Sequence, residues 1–147
     1  MAAEPVLKLV RGCSRIRYGA HTLGAAVLVR NPADQVLMVK NRYRRGFGLP
    51  GGFCHRGESP LDAAMRELNE ETELHLDLSE VRPIVLIDPV YPHVHFLYST
   101  WTDLEPARPR RRLVRLAEVS RSSWFCATDL PPLHRGALDQ LQILGVI

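Results

Sequence analysis

The segment that most constrains this chain is SPLDAAMRELNEETE, residues 59–73, where glutamates recur at helical spacing just behind a glycine-rich stretch. Ser59 has the chemistry of an N-cap, Pro60 suits the first helical position, and Asp62 stands in the first turn. A helix is therefore predicted over 60–73. At about 100° per residue, Glu70 lies about 60° to one side of Glu67 and Glu71 about 40° to the other. The three carboxylates share one sector roughly 100° wide. Leu61, Ala64, Met65, Leu68 and Thr72 fall on the remaining circumference and are expected to pack on a sheet. Like charges at these spacings cost a helix roughly 0.2–0.5 kcal/mol per pair. A bound cation removes that cost, and hard carboxylate oxygens on a rigid element suit Mg²⁺ or Mn²⁺. Arg66 offers a remedy without metal, because it can pair with Glu70 one turn later. By itself the cluster leaves a metal site and a solvated acidic face both open.

The surrounding chain reads as strands. Residues 22–30, TLGAAVLVR, are apolar and partly β-branched, as a buried strand requires. Asn31-Pro32-Ala33-Asp34 is a turn cluster, and QVLMVK at 35–40 completes a hairpin. Residues 41–57 alternate glycine, arginine and aromatics, and read as loop or short extended pieces. Further strands are expected at 81–88, 93–101 and 113–119, with Trp124-Phe125 in a short extended piece of the core. A terminal amphipathic helix over 133–144 should present Leu138, Leu141 and Leu144. Strands around an acidic helix predict an α/β fold, a mixed sheet in an α/β/α sandwich.

At 147 residues the chain has the length of one domain, with 1–19 as a lead-in. Its 46% hydrophobic and 24% charged content excludes wholesale disorder. No apolar run approaches the ~18 residues of a membrane span. Lys8 and Arg11 interrupt the amino terminus, so no secretory signal is read and a cytoplasmic location is expected. Cys13, Cys54 and Cys126 lie far apart, without disulfide or zinc spacing, as in a reducing compartment. The net charge of +3 suits a small anionic ligand and falls short of a nucleic-acid footprint. A monomer and a homodimer both stay open.

From Gly52 the chain reads G-x5-E58-x7-R66-E67-L68-x-E70-E71-x-E73-L74. This resembles the signature box of the Nudix hydrolases, G-x5-E-x7-R-E-U-x-E-E-x-G-U, with U a bulky aliphatic residue. Every defined position matches except the last glycine, which is Glu73 here. The resemblance implies the family's fold and hydrolysis, by water attack at phosphorus, of a nucleoside diphosphate linked to another moiety. Carried over by position, the Gly51 carbonyl and the carboxylates of Glu67, Glu70 and Glu71 would hold Mg²⁺. Arg66 would orient Glu67, and Glu58 would support the loop–helix junction or an outer metal shell. Some members of the family use a box glutamate as general base, and others a carboxylate from a loop beyond the box. Glu118 is the candidate here, with Asp103 and Glu105 behind it. A glutamate at 73 in the left-handed cap conformation would cost roughly 1–2 kcal/mol, unless the helix runs on.

Weaker signals complete the reading. Gly46-x-Gly48-x-x-Gly51 formally matches a dinucleotide fingerprint, but Pro50 interrupts it and no helix opens on it. Arg42, Arg44 and Arg45, interleaved with Tyr43 and Phe47, are candidate substrate-binding residues for phosphates or a base. The run Arg108, Arg110, Arg111, Arg112 and Arg115 motivates RNA 5′ ends as an alternative substrate. His93 and His95 share a strand face without a third zinc ligand. Family hints conflict on the substrate: Pro89 resembles the ADP-ribose pyrophosphatases and Tyr91 the dinucleoside polyphosphate group, against which GLPGG in place of PKG argues. A nucleoside triphosphate or a nucleotide sugar is favoured. A binding module that senses nucleotides without cleaving them is the alternative from another class.

Overall fold

The computed structural model describes residues 21–88, 91–106 and 119–147. The strands are β1 (Thr22–Arg30), β2 (Gln35–Asn41), β3 (Gly51–Phe53), β4 (Ile84–Ile87), β5 (His93–Trp101) and β6 (Val119–Cys126). They form one mixed sheet in the order β4-β5-β1-β2-β6, with β3 joined to β1 beside that path. Helices α1 (Pro60–Thr72) and α2 (Arg135–Ile143) pack on opposite faces. Burial on both faces explains why β1 is a continuous apolar run and not an alternating one. Ala25, Val27 and Val29 pack with Ala63, Ala64 and Leu68 of α1. Ala26 and Leu28 pack with Leu141 of α2. Along its other side β1 runs parallel to β5, from Thr22 opposite His93 to Arg30 opposite Trp101.

The turn after β1 is tied by Asn31, whose Oδ1 accepts from the N–H of Ala33 (3.1 Å) and of Gln35 (2.9 Å). The predicted hairpin is a ladder only at its tip, where Arg30 faces Val36. Beyond that pair the glycine segment enters between the strands. Gly51–Phe53 pair with Ala26–Gly24 of β1, and Gly48 bridges Val39 of β2. Part of the stretch read as loop is therefore strand. The close approach excludes a side chain at Gly51, where a Cβ would collide with the Ala25 carbonyl and lie 2.7 Å from Ala26 Cα.

Other boundaries shift for identifiable reasons. The strand expected at 81–88 begins only at Ile84, because the Val81 N–H closes a turn onto Leu78 (3.0 Å) and Pro83 has no N–H to give. Trp124 and Phe125 belong to the longer β6 and pack half-buried, one against each core layer. The strand expected at 113–119 lies outside the described residues except for Val119. On α2, Ala137, Gln140 and Leu141 are buried and Leu144 packs at the core edge, whereas Leu138 is exposed. The buried stripe of Ala137, Gln140 and Leu141 is centred close to Ala137, and Leu138 falls about 110° from that centre. The expectation that Leu138 faces the core is thus corrected. Among the described residues no helix is long and apolar enough to cross a membrane.

Candidate active site

Helix α1 starts as its sequence dictates. Ser59 takes an extended conformation, its Oγ accepts from the Asp62 N–H (3.1 Å) and its hydroxyl donates to Asp62 Oδ2 (2.6 Å). The helix lies along β3, so two acids one turn apart meet adjacent backbone positions of the glycine strand. The Gly51 N–H donates to Glu71 Oε2 at 2.8 Å. One residue on, a Cβ at Gly52 would lie 2.5 Å from Glu67 Oε1. Only glycine leaves room for that carboxylate. The shared acidic sector therefore spans different environments: Glu71 is buried, Glu67 is half-buried and Glu70 faces solvent.

Arg66 connects the parts. Its Nε donates to Glu58 Oε1 (2.7 Å) and its Nη2 to Glu58 Oε2 (3.0 Å), a two-pronged grip. Its Nη1 donates to Glu67 Oε1 (2.6 Å) and lies 3.5 Å from Glu70 Oε2. Nη2 also donates to the Phe53 carbonyl at 3.1 Å, tying the end of β3 to the helix. Glu58 in turn accepts from the His55 N–H at 2.8 Å. Hydrogen bonding to Arg66 pulls the Glu58 carboxyl down to about 2, and hydrogen bonds to Glu58 and then Glu67 raise the Arg66 pKa. Cys54 beside this network packs half-buried against the core, and burial pushes its thiol up.

The remaining expectations divide. Arg42, Arg44 and Arg45 are exposed on the loop after β2. The positive charge of Arg44 bears on His93, His95 and His134, all held below the ordinary imidazole pKa chiefly by burial. Glu105 is engaged, accepting from the Trp124 indole N–H at 3.0 Å, and Asp103 is exposed. Glu118 and the arginine run lie outside the described residues. The dinucleotide-like glycines serve packing. A Cβ at Gly46 would lie 2.5 Å from the Leu133 carbonyl carbon, and one at Gly48 would collide with the His134 ring. Sequence reasoning missed His134, which caps α2 through Nδ1 accepting from the Ala137 N–H (3.2 Å). Its place directly ahead of the helix is the signal that could have found it. Glu73 does adopt the left-handed conformation, at φ 58°, and closes α1 by donating its N–H to the Asn69 carbonyl.

In kind, the donors along α1 fit a divalent cation: carboxylate oxygens on a rigid helix, with glycines clearing space in front of them. They are not gathered as a finished cage. Among the described residues, no three His, Cys, Asp or Glu side chains converge closely enough to hold a metal.

A mixed-sheet α/β/α domain with an arginine-clamped acidic helix on a glycine strand defines the class. The chain belongs to the NUDIX family, matching the NUDIX domain over residues 20–144. It is 44% identical over 59 residues to a Bacillus subtilis (strain 168) protein provisionally named an 8-oxo-dGTP diphosphatase, covering 40% of each chain. It is 37% identical over 68 residues to a mouse ADP-sugar pyrophosphatase, covering 43% of this chain and 31% of that one. Among solved structures it resembles a MutT NUDIX hydrolase from Burkholderia pseudomallei. The TM-score there is 0.66 at 22% identity, over 84% of this chain and 98% of the other. The chain spans between 31% and 54% of the length of the first curated relatives it matches.

Proposed function

We propose that this protein hydrolyses the pyrophosphate bond of a nucleoside diphosphate derivative, a nucleoside triphosphate or a nucleotide sugar of the ADP-ribose type, with Mg²⁺ or Mn²⁺. The observation that carries the reading is the Arg66 network, which brings Glu58, Glu67 and Glu70 together in front of the glycine strand that also engages Glu71. Glu67, Glu70, Glu71 and the Gly51 carbonyl would hold the cation. When bound, the cation polarises phosphate oxygens and lowers the pKa of coordinated water. The chain's own residues position the rest. Arg66 orients Glu67, and Glu58 fixes Arg66 in turn. Arg42, Arg44 and Arg45 supply cations to the phosphates from the loop beside β3, and Glu118 is the proposed general base. The relatives named as a diphosphatase and a pyrophosphatase support the same bond class.

A second reading, a nucleotide-binding module of weak activity, is favoured by the spread of the carboxylates among the described residues. RNA 5′-end hydrolysis is supported by the arginine run and by 41% identity over 51 residues to a Ruthia magnifica protein named an RNA pyrophosphohydrolase.

The discriminating experiment follows phosphate and pyrophosphate release from nucleoside triphosphates, oxidised triphosphates, ADP-ribose, nucleotide sugars and capped RNA, with Mg²⁺, Mn²⁺ or EDTA. Metal-dependent cleavage of one group is expected. Binding without turnover across the panel would establish the sensor instead.

A further inference from the structure

The face of the sheet opposite α1 carries a second constellation that pyrophosphate hydrolysis leaves unused. Strand parity defines it. Leu97 of β5 packs toward α2, so His95 and His93, two and four residues earlier, lie on that same face. Phe53 pairs with Gly24, which stands two residues before the α2-facing Ala26. The rings meet. His93 and His95 cross at 83° with centroids 3.9 Å apart, and Phe53 meets His93 edge-on at 5.2 Å. Thr22 Oγ1 hydrogen-bonds His93 Nδ1 and fixes that ring. Phe53 is 56% exposed, so its ring is presented outward and not spent on the core. Gly24 keeps the floor clear, since a Cβ there would lie 3.1 Å from His93 Nε2 and 3.3 Å from the Gly52 carbonyl.

Burial keeps both imidazoles neutral near pH 7, His95 being held down to about 4. A neutral imidazole offers one donor and one acceptor. Arg44 and Asp88, of opposite sign, act on the pair and offset one another. Asp88 is already engaged, its Oδ1 accepting from the Tyr91 N–H at 2.9 Å. The patch is also continuous with the acid cluster through a single residue: the Phe53 carbonyl accepts from Arg66 while the Phe53 ring meets His93.

We infer that Phe53, His93 and His95 form the recognition surface for the nucleobase of the substrate. The inference rests on the reading of this protein as a nucleotide pyrophosphohydrolase. A nucleobase is planar, uncharged and edged with both donors and acceptors, which matches a solvent-facing ring beside two neutral imidazoles. A further phosphate group would call for unopposed cations, which this patch does not present.

The test compares two kinds of probe by calorimetry in Mg²⁺. One is methylenediphosphonate, which carries only the pyrophosphate mimic. The other is the set of α,β-methylene nucleoside diphosphates of adenine, guanine, cytosine and uracil. Wild-type protein should bind at least one nucleoside analogue more tightly than methylenediphosphonate. Phe53→Ala should weaken that analogue about tenfold to a hundredfold, the range of one lost base stack. His95→Phe, which keeps a ring and removes the polar edges, should weaken it as well. Both variants should leave methylenediphosphonate binding unchanged. The wild-type His95 Cε1–H resonance should shift with the nucleoside analogue and stay in place with methylenediphosphonate.

Equal weakening of both probes, or a His95 resonance indifferent to the base, would overturn the inference. So would wild-type affinity that is the same with and without a base, and in that case the pyrophosphate reading stands. Failure of wild-type protein to bind methylenediphosphonate at all would remove the pyrophosphate reading, and this inference with it.

Discussion

Arg66 grips Glu58 with two parallel hydrogen bonds, Nε to Oε1 at 2.7 Å and Nη2 to Oε2 at 3.0 Å, across the junction between loop and helix. The pair does more than join two charges. It fixes the guanidinium so that its remaining nitrogen, Nη1, points at Glu67. A lysine could supply the charge but not both directions at once.

This pairing makes stability depend on pH. The folded-state pKa of Glu58 is lowered from 4.5 to about 2. The unfolded chain therefore binds a proton first as pH falls, and the stabilisation is fully present above pH 4.5. It should drain away as pH drops from there to about 2. Urea unfolding of wild type and Glu58→Gln across that range checks the point. The variant should show a distinctly shallower loss, and parallel curves would contradict it.

Gly52→Ala tests the space in front of Glu67. The added Cβ would lie 2.5 Å from Glu67 Oε1, so the carboxylate must swing away from Arg66. Turnover with Mg²⁺ should fall by about 100-fold, comparable to losing one preorganised group in an active site. Circular dichroism should change little. Unaltered kcat would mean that Glu67 does not need its present place.

Replacing Glu70 and Glu71 together by Gln removes two of the proposed cation-holding charges while keeping their shape. The Gly51 N–H can still donate to an amide oxygen at position 71, so the fold should survive. Metal-dependent hydrolysis should fall by at least about 100-fold, with weakened Mn²⁺ binding by titration. A near-normal rate in saturating Mg²⁺ would refute the metal assignment.

Glu73→Gly should stabilise the protein. Glu73 sits at φ 58°, a conformation that costs a residue with a side chain about 1 kcal/mol relative to glycine. The substitution also removes a carboxylate from a helix C-terminus. The greater chain entropy of glycine in the unfolded state offsets part of the gain. A rise of about 0.5–1 kcal/mol by chemical denaturation is expected. A fall would show that the Glu73 side chain makes a compensating contact.

The sequence alone determined the elements whose causes are local. Ser59, Pro60 and Asp62 mark the start of α1 because capping needs only neighbours, and the helical period by itself brings Glu67, Glu70 and Glu71 to one side. The continuous apolar run of β1 announced a buried strand, and the fold covers it on both faces. The box pattern identified the family before any coordinate was known. Tertiary structure decided what depends on contacts between distant segments. Gly51–Phe53 became a strand because β1 and β2 diverge, and a local reading of glycines cannot show a gap that other strands create. Burial separated Glu71 from Glu70, though helical period places them side by side, because only Glu71 lies against the Gly51 backbone. The ring cluster of Phe53, His93 and His95 joins β3 to β5, which pair with opposite sides of β1 and are separated in sequence by the whole of α1. Parity along each strand was legible, but which strands are neighbours follows from the packing of the whole sheet.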